Sequence, residues 1–176
     1  MFLRKIKSAI YEFIYKMVEQ SKEYKINKMK NAMGIPASVR VSDSLLSGNI
    51  EIGEQTYISP GSVIASGITS KVTIGKYCAI GRYVSIVSRG HSLKFPTADE
   101  THESHEHVEQ DTCIGDYVWI GDHVFIKHGV IVGDYAIIGA NSIVTKDVKR
   151  FEVVGGVPAR HIRFNTEHYK YKEVNL

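Results

Sequence analysis

The sequence predicts an all-β solenoid, a parallel β-helix wound from six-residue segments, and three observations carry that prediction. Aliphatic residues recur every sixth position at Ile114, Ile120, Ile126, Val132, Ile138 and Val144. Ile and Val together number 39 against 5 Leu, and β-branched side chains favour pleated, half-buried surfaces over helices. The period itself excludes a helix there, because a rotation of about 100° per residue would scatter these aliphatics around the axis instead of stacking them.

In chain order, the first element is helical. Leu3, Ile6, Ile10, Phe13, Ile14 and Met17 follow helical spacing, and Gly34-Ile35-Pro36 should stop the helix, giving a basic amphipathic segment over 1–34. The solenoid domain is expected over 35–164, with coils between about residues 40 and 150, and a tail over 165–176. Its upstream repeats read Ile52, Ile58, Ile64 and then Ile74, Ile80, Ile86, so four residues are inserted between Ile64 and Ile74. A longer interruption, over 87–113, separates Ile86 from Ile114; a loop of this length in a repeat protein is a candidate for function. Small or branched residues precede the next aliphatic by two positions at Val118, Val124, Val130, Ala136, Ser142 and Val148. Glycine follows the aliphatic at Gly53, Gly75, Gly81, Gly115, Gly121, Gly133 and Gly139, where a chain turning a corner benefits from a residue without Cβ.

The 176 residues suit one domain with a substantial core, and 43% apolar with 23% charged residues fits neither a disordered nor a collagen-like chain. A net charge of +3 is too mild to indicate nucleic acid. The charge is uneven, however: residues 1–30 carry eight basic residues against Glu12, Glu19 and Glu23. That helix either caps the solenoid end, packing on the first coil or a neighbouring chain, or rests on an anionic inner membrane leaflet. Cys78 and Cys113, without metal-site spacing, imply free thiols and a cytoplasmic location. Charges break up the N-terminus, and nowhere do 18 apolar residues run together, so neither secretion nor membrane spanning is expected.

The stretch Val118–Arg163, with VWIG, GANSIVTKD and GGVPAR, resembles the hexapeptide-repeat acetyltransferases that include the maltose and galactoside O-acetyltransferases and the xenobiotic acetyltransferases. The resemblance extends upstream through residues 72–91. It implies a left-handed β-helix, three hexapeptides to a coil, in a homotrimer with acetyl-CoA bound between subunits. It implies His91 as general base, at the His of the family's V-x-I-x-x-x-G-H segment. An imidazole titrating near neutrality suits removal of a proton from an acceptor hydroxyl as it attacks a thioester. For acetyl-CoA it implies Trp119 beside the pantetheine arm, Asp122 close to the acetyl group, and Ala140 offering backbone contact. Thr145 and Lys146 would lie near the adenine, with Arg160 and Arg163 near the phosphates. Arginine and lysine suit phosphate chemically.

The acceptor is expected to be a sugar or glycan hydroxyl. The coil that carries Asn and Asp for sugar hydroxyls in the maltose and galactoside enzymes reads SPGSVIASGITSK here, residues 59–71. Within the same chemistry, an amino sugar linked to a nucleotide or a xenobiotic alcohol is the alternative acceptor. His102, His105 and His107, interleaved with Glu103, Glu106 and Glu109, read as solvated loop with no bound metal expected. His123 and His128 have the H-x4-H spacing of the trimeric γ-type carbonic anhydrases, a second class of reading, and a catalytically silent scaffold is a third.

Overall fold

Every sixth aliphatic side chain turns inward and stacks on its counterparts one coil away. In the computed structural model, which describes residues 2–91 and 107–165, Ile52, Ile74, Ile114 and Val132 align in register along one wall. Ile58, Ile80, Ile120 and Ile138 align along a second, and Leu46, Ile64, Ile86, Ile126 and Val144 along a third. These residues are almost wholly buried and form one continuous core, an interior of Ile and Val interdigitated between coils as close packing requires.

Three parallel sheets form the walls of the prism. The first runs β3(Ile50–Ile52), β6(Val72–Ile74), β11(Thr112–Ile114), β14(Ile131–Val132). The second runs β1(Arg40–Val41), β4(Tyr57–Ile58), β7(Ala79–Ile80), β12(Trp119–Ile120), β15(Ile137–Ile138), β17(Glu152–Gly155), β18(Arg160–Phe164). The third runs β2(Leu45–Ser47), β5(Val63–Ala65), β8(Ser85–Val87), β13(Phe125–Ile126), β16(Ile143–Val144). The chain visits first, second and third wall in turn, the architecture of the expected left-handed parallel β-helix.

The corner glycines have a different cause from a turning backbone. Positive φ falls instead on larger residues, Tyr77, Tyr83, Tyr117, His123, Tyr135, Asn141 and Phe151 among them. A Cβ at Gly121 would lie 2.6 Å from the Ala140 backbone nitrogen, and one at Gly133 would lie 2.5 Å from that of Arg150. Glycine is required there because the next coil passes too close for a side chain. The left-handed residues at the corner between the first and second walls in turn stack their rings, Tyr77 on Tyr117 and Tyr117 on Tyr135 at 4.9 Å, and Tyr135 on Phe151 at 5.0 Å.

Carboxylates close several corners by accepting backbone N–H groups of the preceding coil. Asp116 accepts from Lys76 at 2.9 Å, Asp134 from Asp116 at 2.9 Å and Asp147 from Ile131 at 2.8 Å. The register shortens at the end of the solenoid. Val148, expected as the small or branched residue two positions before a next aliphatic, bridges instead to Val132 and takes the inward stacking place, and Val154 stacks on Ile138. The chain then reverses, and β18 pairs antiparallel with β17 beyond the expected last coil.

At the other end, α1(Phe2–Ala32) stops before Gly34, whose φ of 66° is left-handed. Lys30, only 7% exposed, donates from Nζ to the carbonyls of Val39 and of Ala37, tying the helix end to the first coil. Met29 and Met33 pack against the core.

Candidate active site

Two irregularities of the repeat meet at the corner between the third and first walls. The longer one leaves the solenoid after Val87 as β9(Arg89–His91) and returns as β10(His107–Glu109), paired antiparallel with it. His107 lies opposite His91, their ring centroids 4.9 Å apart and tilted by 50°. The shorter one, the four extra residues after Ile64, presents its backbone to Glu109. The Glu109 carboxylate accepts from the N–H groups of Ile68 at 3.1 Å, Thr69 at 2.7 Å and Ser70 at 3.1 Å, and from the Thr69 hydroxyl at 2.7 Å. These donors, led by the Thr69 hydroxyl, lower the Glu109 pKa to about 2. The insertion therefore holds the returning strand of the ribbon, and with it His107 against His91.

A cleft of about 470 Å³ opens beside this clamp, lined by Ala65, Ser66, Val87, Arg89, Gly90, His91 and His107. Its walls come from both irregularities, and His91 stands exposed at its edge. Beneath it, His128 packs so closely on Gly90 that a Cβ there would lie 2.5 Å from the imidazole Cδ2. His128 Nδ1 is buried with no hydrogen-bond partner among the described residues. Burial, and then the charge of Lys127, lowers its pKa.

The other residues expected to bind cofactor occupy separate places. Trp119 stands on the outside of the second wall between Ala79 and Ile137, 58% exposed. Asp122 and Ala140 lie at the corner between the second and third walls, the Asp122 carbonyl accepting from Asn141 N–H at 2.9 Å. Asp122 Oδ1 accepts from Arg82 N–H at 2.8 Å, so this side chain also closes a corner like its neighbours. Thr145 and Lys146 follow β16 at the same corner as His91, further along the solenoid. Lys146 and Arg160 line one cleft of about 230 Å³ with Asp147, Glu152 and His161. Arg163 lies on β18 opposite Val153, its Nη1 donating to the Phe164 carbonyl at 3.3 Å. The structure thus joins Lys146 with Arg160 in one cleft and sets Asp122 and Ala140 at one corner, while Trp119, Arg163 and His91 line neither place.

The remaining histidines separate as well. His102 and His105 lie outside the described residues, as do Glu103 and Glu106, whereas His107 belongs to a strand rather than to solvated loop. Its pairing with His91, and the clamp at Glu109, were hidden because the ladder between them spans residues remote from the six-residue period. His123 stacks on Tyr83 at 4.9 Å, away from His128. Among the described residues no three His, Cys, Asp or Glu side chains gather as a metal site. Cys78 is buried, its thiol within reach of the Gly115 carbonyl at 3.1 Å and its pKa pushed up to about 11 by burial, so it stays protonated and structural.

Residues 111–146 match the family model of the bacterial transferase hexapeptide, six repeats. The galactoside O-acetyltransferase of Escherichia coli strain K12 is 35% identical over 97% of this chain and 84% of its own. The crystal structure of a galactoside acetyltransferase with coenzyme A shares 30% identity, covers 87% of this chain and 76% of that one, and superposes with a TM-score of 0.66. A hexapeptide-repeat acetyltransferase of Vibrio cholerae O1 biovar eltor, complexed with acetyl-CoA, shares 27% identity over 81% of this chain and 77% of that one, at a TM-score of 0.64. The prism of stacked hexapeptides and a 35% identity across nearly the whole chain agree: this chain belongs to the hexapeptide-repeat acetyltransferases, and it is an acetyl-CoA-dependent acetyltransferase of their galactoside and maltose O-acetyltransferase branch.

Proposed function

We propose that the protein is a homotrimeric O-acetyltransferase that moves an acetyl group to a hydroxyl of a sugar or glycan by direct transfer, with His91 as general base. The observation that carries this reading is the cleft at the corner between the third and first walls, where two interruptions of an otherwise strict repeat converge on two exposed imidazoles, His91 and His107. Acetyl-CoA supplies the activated acetyl group. His91 accepts the acceptor hydroxyl proton as the oxygen becomes a nucleophile, and returns it to the thiolate leaving group. His107, packed against it at a tilt, limits the orientations the imidazole samples. Neither cysteine is needed as a nucleophile, in keeping with the high pKa of Cys78.

The remaining assignments follow the chemistry of the cofactor. Lys146 and Arg160, sharing a cleft, suit phosphate oxygens, with Arg163 near them and Thr145 toward the adenine. Trp119 offers an apolar wall for the pantetheine arm, Ala140 a backbone contact, and Asp122 a polar group near the acetyl. The set is divided between the edges of the third wall: Asp122 and Ala140 at one, His91 and Lys146 at the other. A neighbouring copy brings these edges together, and the outward Phe125, Ile143 and Leu45 of that wall give it apolar surface to cover. The free thiols fit a cytoplasmic enzyme.

The test compares sugars, glycans and amino sugars as acceptors with acetyl-CoA, in the parent and in His91→Ala, with mass measured by light scattering. Hydroxyl acetylation by a trimer that depends on His91 is the expected result. Turnover retained by His91→Ala would remove the general-base assignment, and a monomer with full activity would remove the shared site.

A further inference from the structure

Helix α1 touches the solenoid along one face and leaves the opposite face uncovered. Its contacts come from its last turns. Met29 packs on the core, Lys30 is tied to the first coil, and Ile26 lines the cleft against Val39 and Arg40. From Lys7 to Lys25 every residue is exposed. Ile10, Phe13, Ile14, Met17 and Tyr24 form a stripe about 100° wide whose centre lies about 180° from Ile26, counting 3.6 residues per turn, and the exposed Val18, Tyr11 and Tyr15 continue the apolar surface from one edge of it round toward the Ile26 side. A continuous helix cannot turn both faces to its own solenoid, so this stripe is covered, if at all, by something else.

The charges around the stripe say what that is. Glu12, Glu19 and Glu23 all lie on the solenoid-facing side, Glu19 and Glu23 lining the cleft there. Lys7 and Lys25 border the stripe on one flank and Lys28 lies within it, whereas Lys16 lies toward the glutamate side, paired with Glu12 at 3.1 Å. A bundle with a second copy would bring these lysines toward one another around the apolar seam. Anionic headgroups would neutralise them. We propose that α1 lies along an anionic phospholipid surface, its Ile10–Met17 stripe among the acyl chains and its bordering lysines at the phosphates, with the glutamates and the solenoid held on the water side. The helix is not long and apolar enough to cross a membrane, and an in-plane position is the one its sided charge fits.

The test is co-sedimentation of the full-length protein with phosphatidylcholine vesicles, and with vesicles of phosphatidylcholine and phosphatidylglycerol in about equal parts. Light scattering without lipid runs alongside. The expected result is binding to the anionic vesicles about tenfold or more stronger than to the neutral ones, weakening with salt. The variant Ile10→Ser/Phe13→Ser/Met17→Ser changes only exposed positions, so it should fold; it should lose the vesicles while keeping its mass and its acetyl-CoA binding. Three results would overturn the proposal: no binding to anionic vesicles, binding that the triple variant keeps, or a fall in mass in the triple variant, which would assign the stripe to a second copy. None depends on acetyl transfer, so failure here leaves the enzymatic reading standing.

Discussion

Two stretches of one solenoid follow opposite rules. From Thr112 to Val144 the six-residue period never slips, the inward aliphatics are buried, and the corners are closed by aspartates and stacked rings. Between Ala65 and Asp111 the period breaks twice, and the breaks grip each other through Glu109. The regular stretch resembles a crystal, with each coil setting the place of the next. The interrupted stretch spends its extra residues on a ribbon, a clamp and a cleft. The difference teaches that stability and chemistry are segregated here by regularity: strict repeats build the wall, and departures from them build the candidate site.

Breaking the interrupted side should cost the most. His91→Ala is expected to lower the acetyl-transfer rate by about two to four decades, the usual contribution of a positioned acid-base group. Calorimetric titration should find acetyl-CoA binding nearly unchanged. Ile120→Ala breaks the regular side instead. Its side chain is fully buried between Ile80 and Ile138, and denaturant titration should show a loss of about 2–5 kcal/mol.

A pair of glycines sharpens the comparison within the wall. Gly121→Ala drives a Cβ against the Ala140 backbone and should cost about 1–3 kcal/mol. Gly139→Ala meets nothing nearer than 3.5 Å in the terminal coil and should be nearly neutral in thermal melting. Equal effects at the two sites would remove the close-approach account of these glycines.

Glu109→Gln is expected to act on the ribbon rather than on global stability. The thermal midpoint should barely move, while hydrogen exchange at 107–109 rises and the turnover rate falls with little change in acetyl-CoA affinity. The pH dependence has a definite sign. The folded pKa lies near 2, below the ordinary 4.5, so the clamp is fully present above about pH 4.5 and is lost as pH falls toward 2. Ribbon exchange should therefore rise over that interval in the parent and stay flat in the variant.

Much of this was legible in the residues. Ile114 through Val144 announce the solenoid because burial of every sixth side chain is a local constraint repeated identically, and the VWIG, GANSIVTKD and GGVPAR segments lead to the family. Both interruptions could be counted, and His91 lies on the second of them. Val148 misled because the last coil is shorter than the period predicts, and only its bridge to Val132 shows that. His107 looked like its neighbours in a charged loop, since strand pairing with residues 16 positions earlier leaves no periodic trace.

The sequence by itself determined the prism, its core, its family and its basic helix, since each rests on spacing or composition along the chain. The tertiary structure alone decided that Glu109 finds the backbone of Ile68, Thr69 and Ser70 some 40 residues away, that glycine serves close approach rather than turning, and that the apolar stripe of α1 faces away from the solenoid. Each of these is a meeting of groups remote in sequence, and such meetings are fixed by packing in three dimensions, which no periodicity encodes.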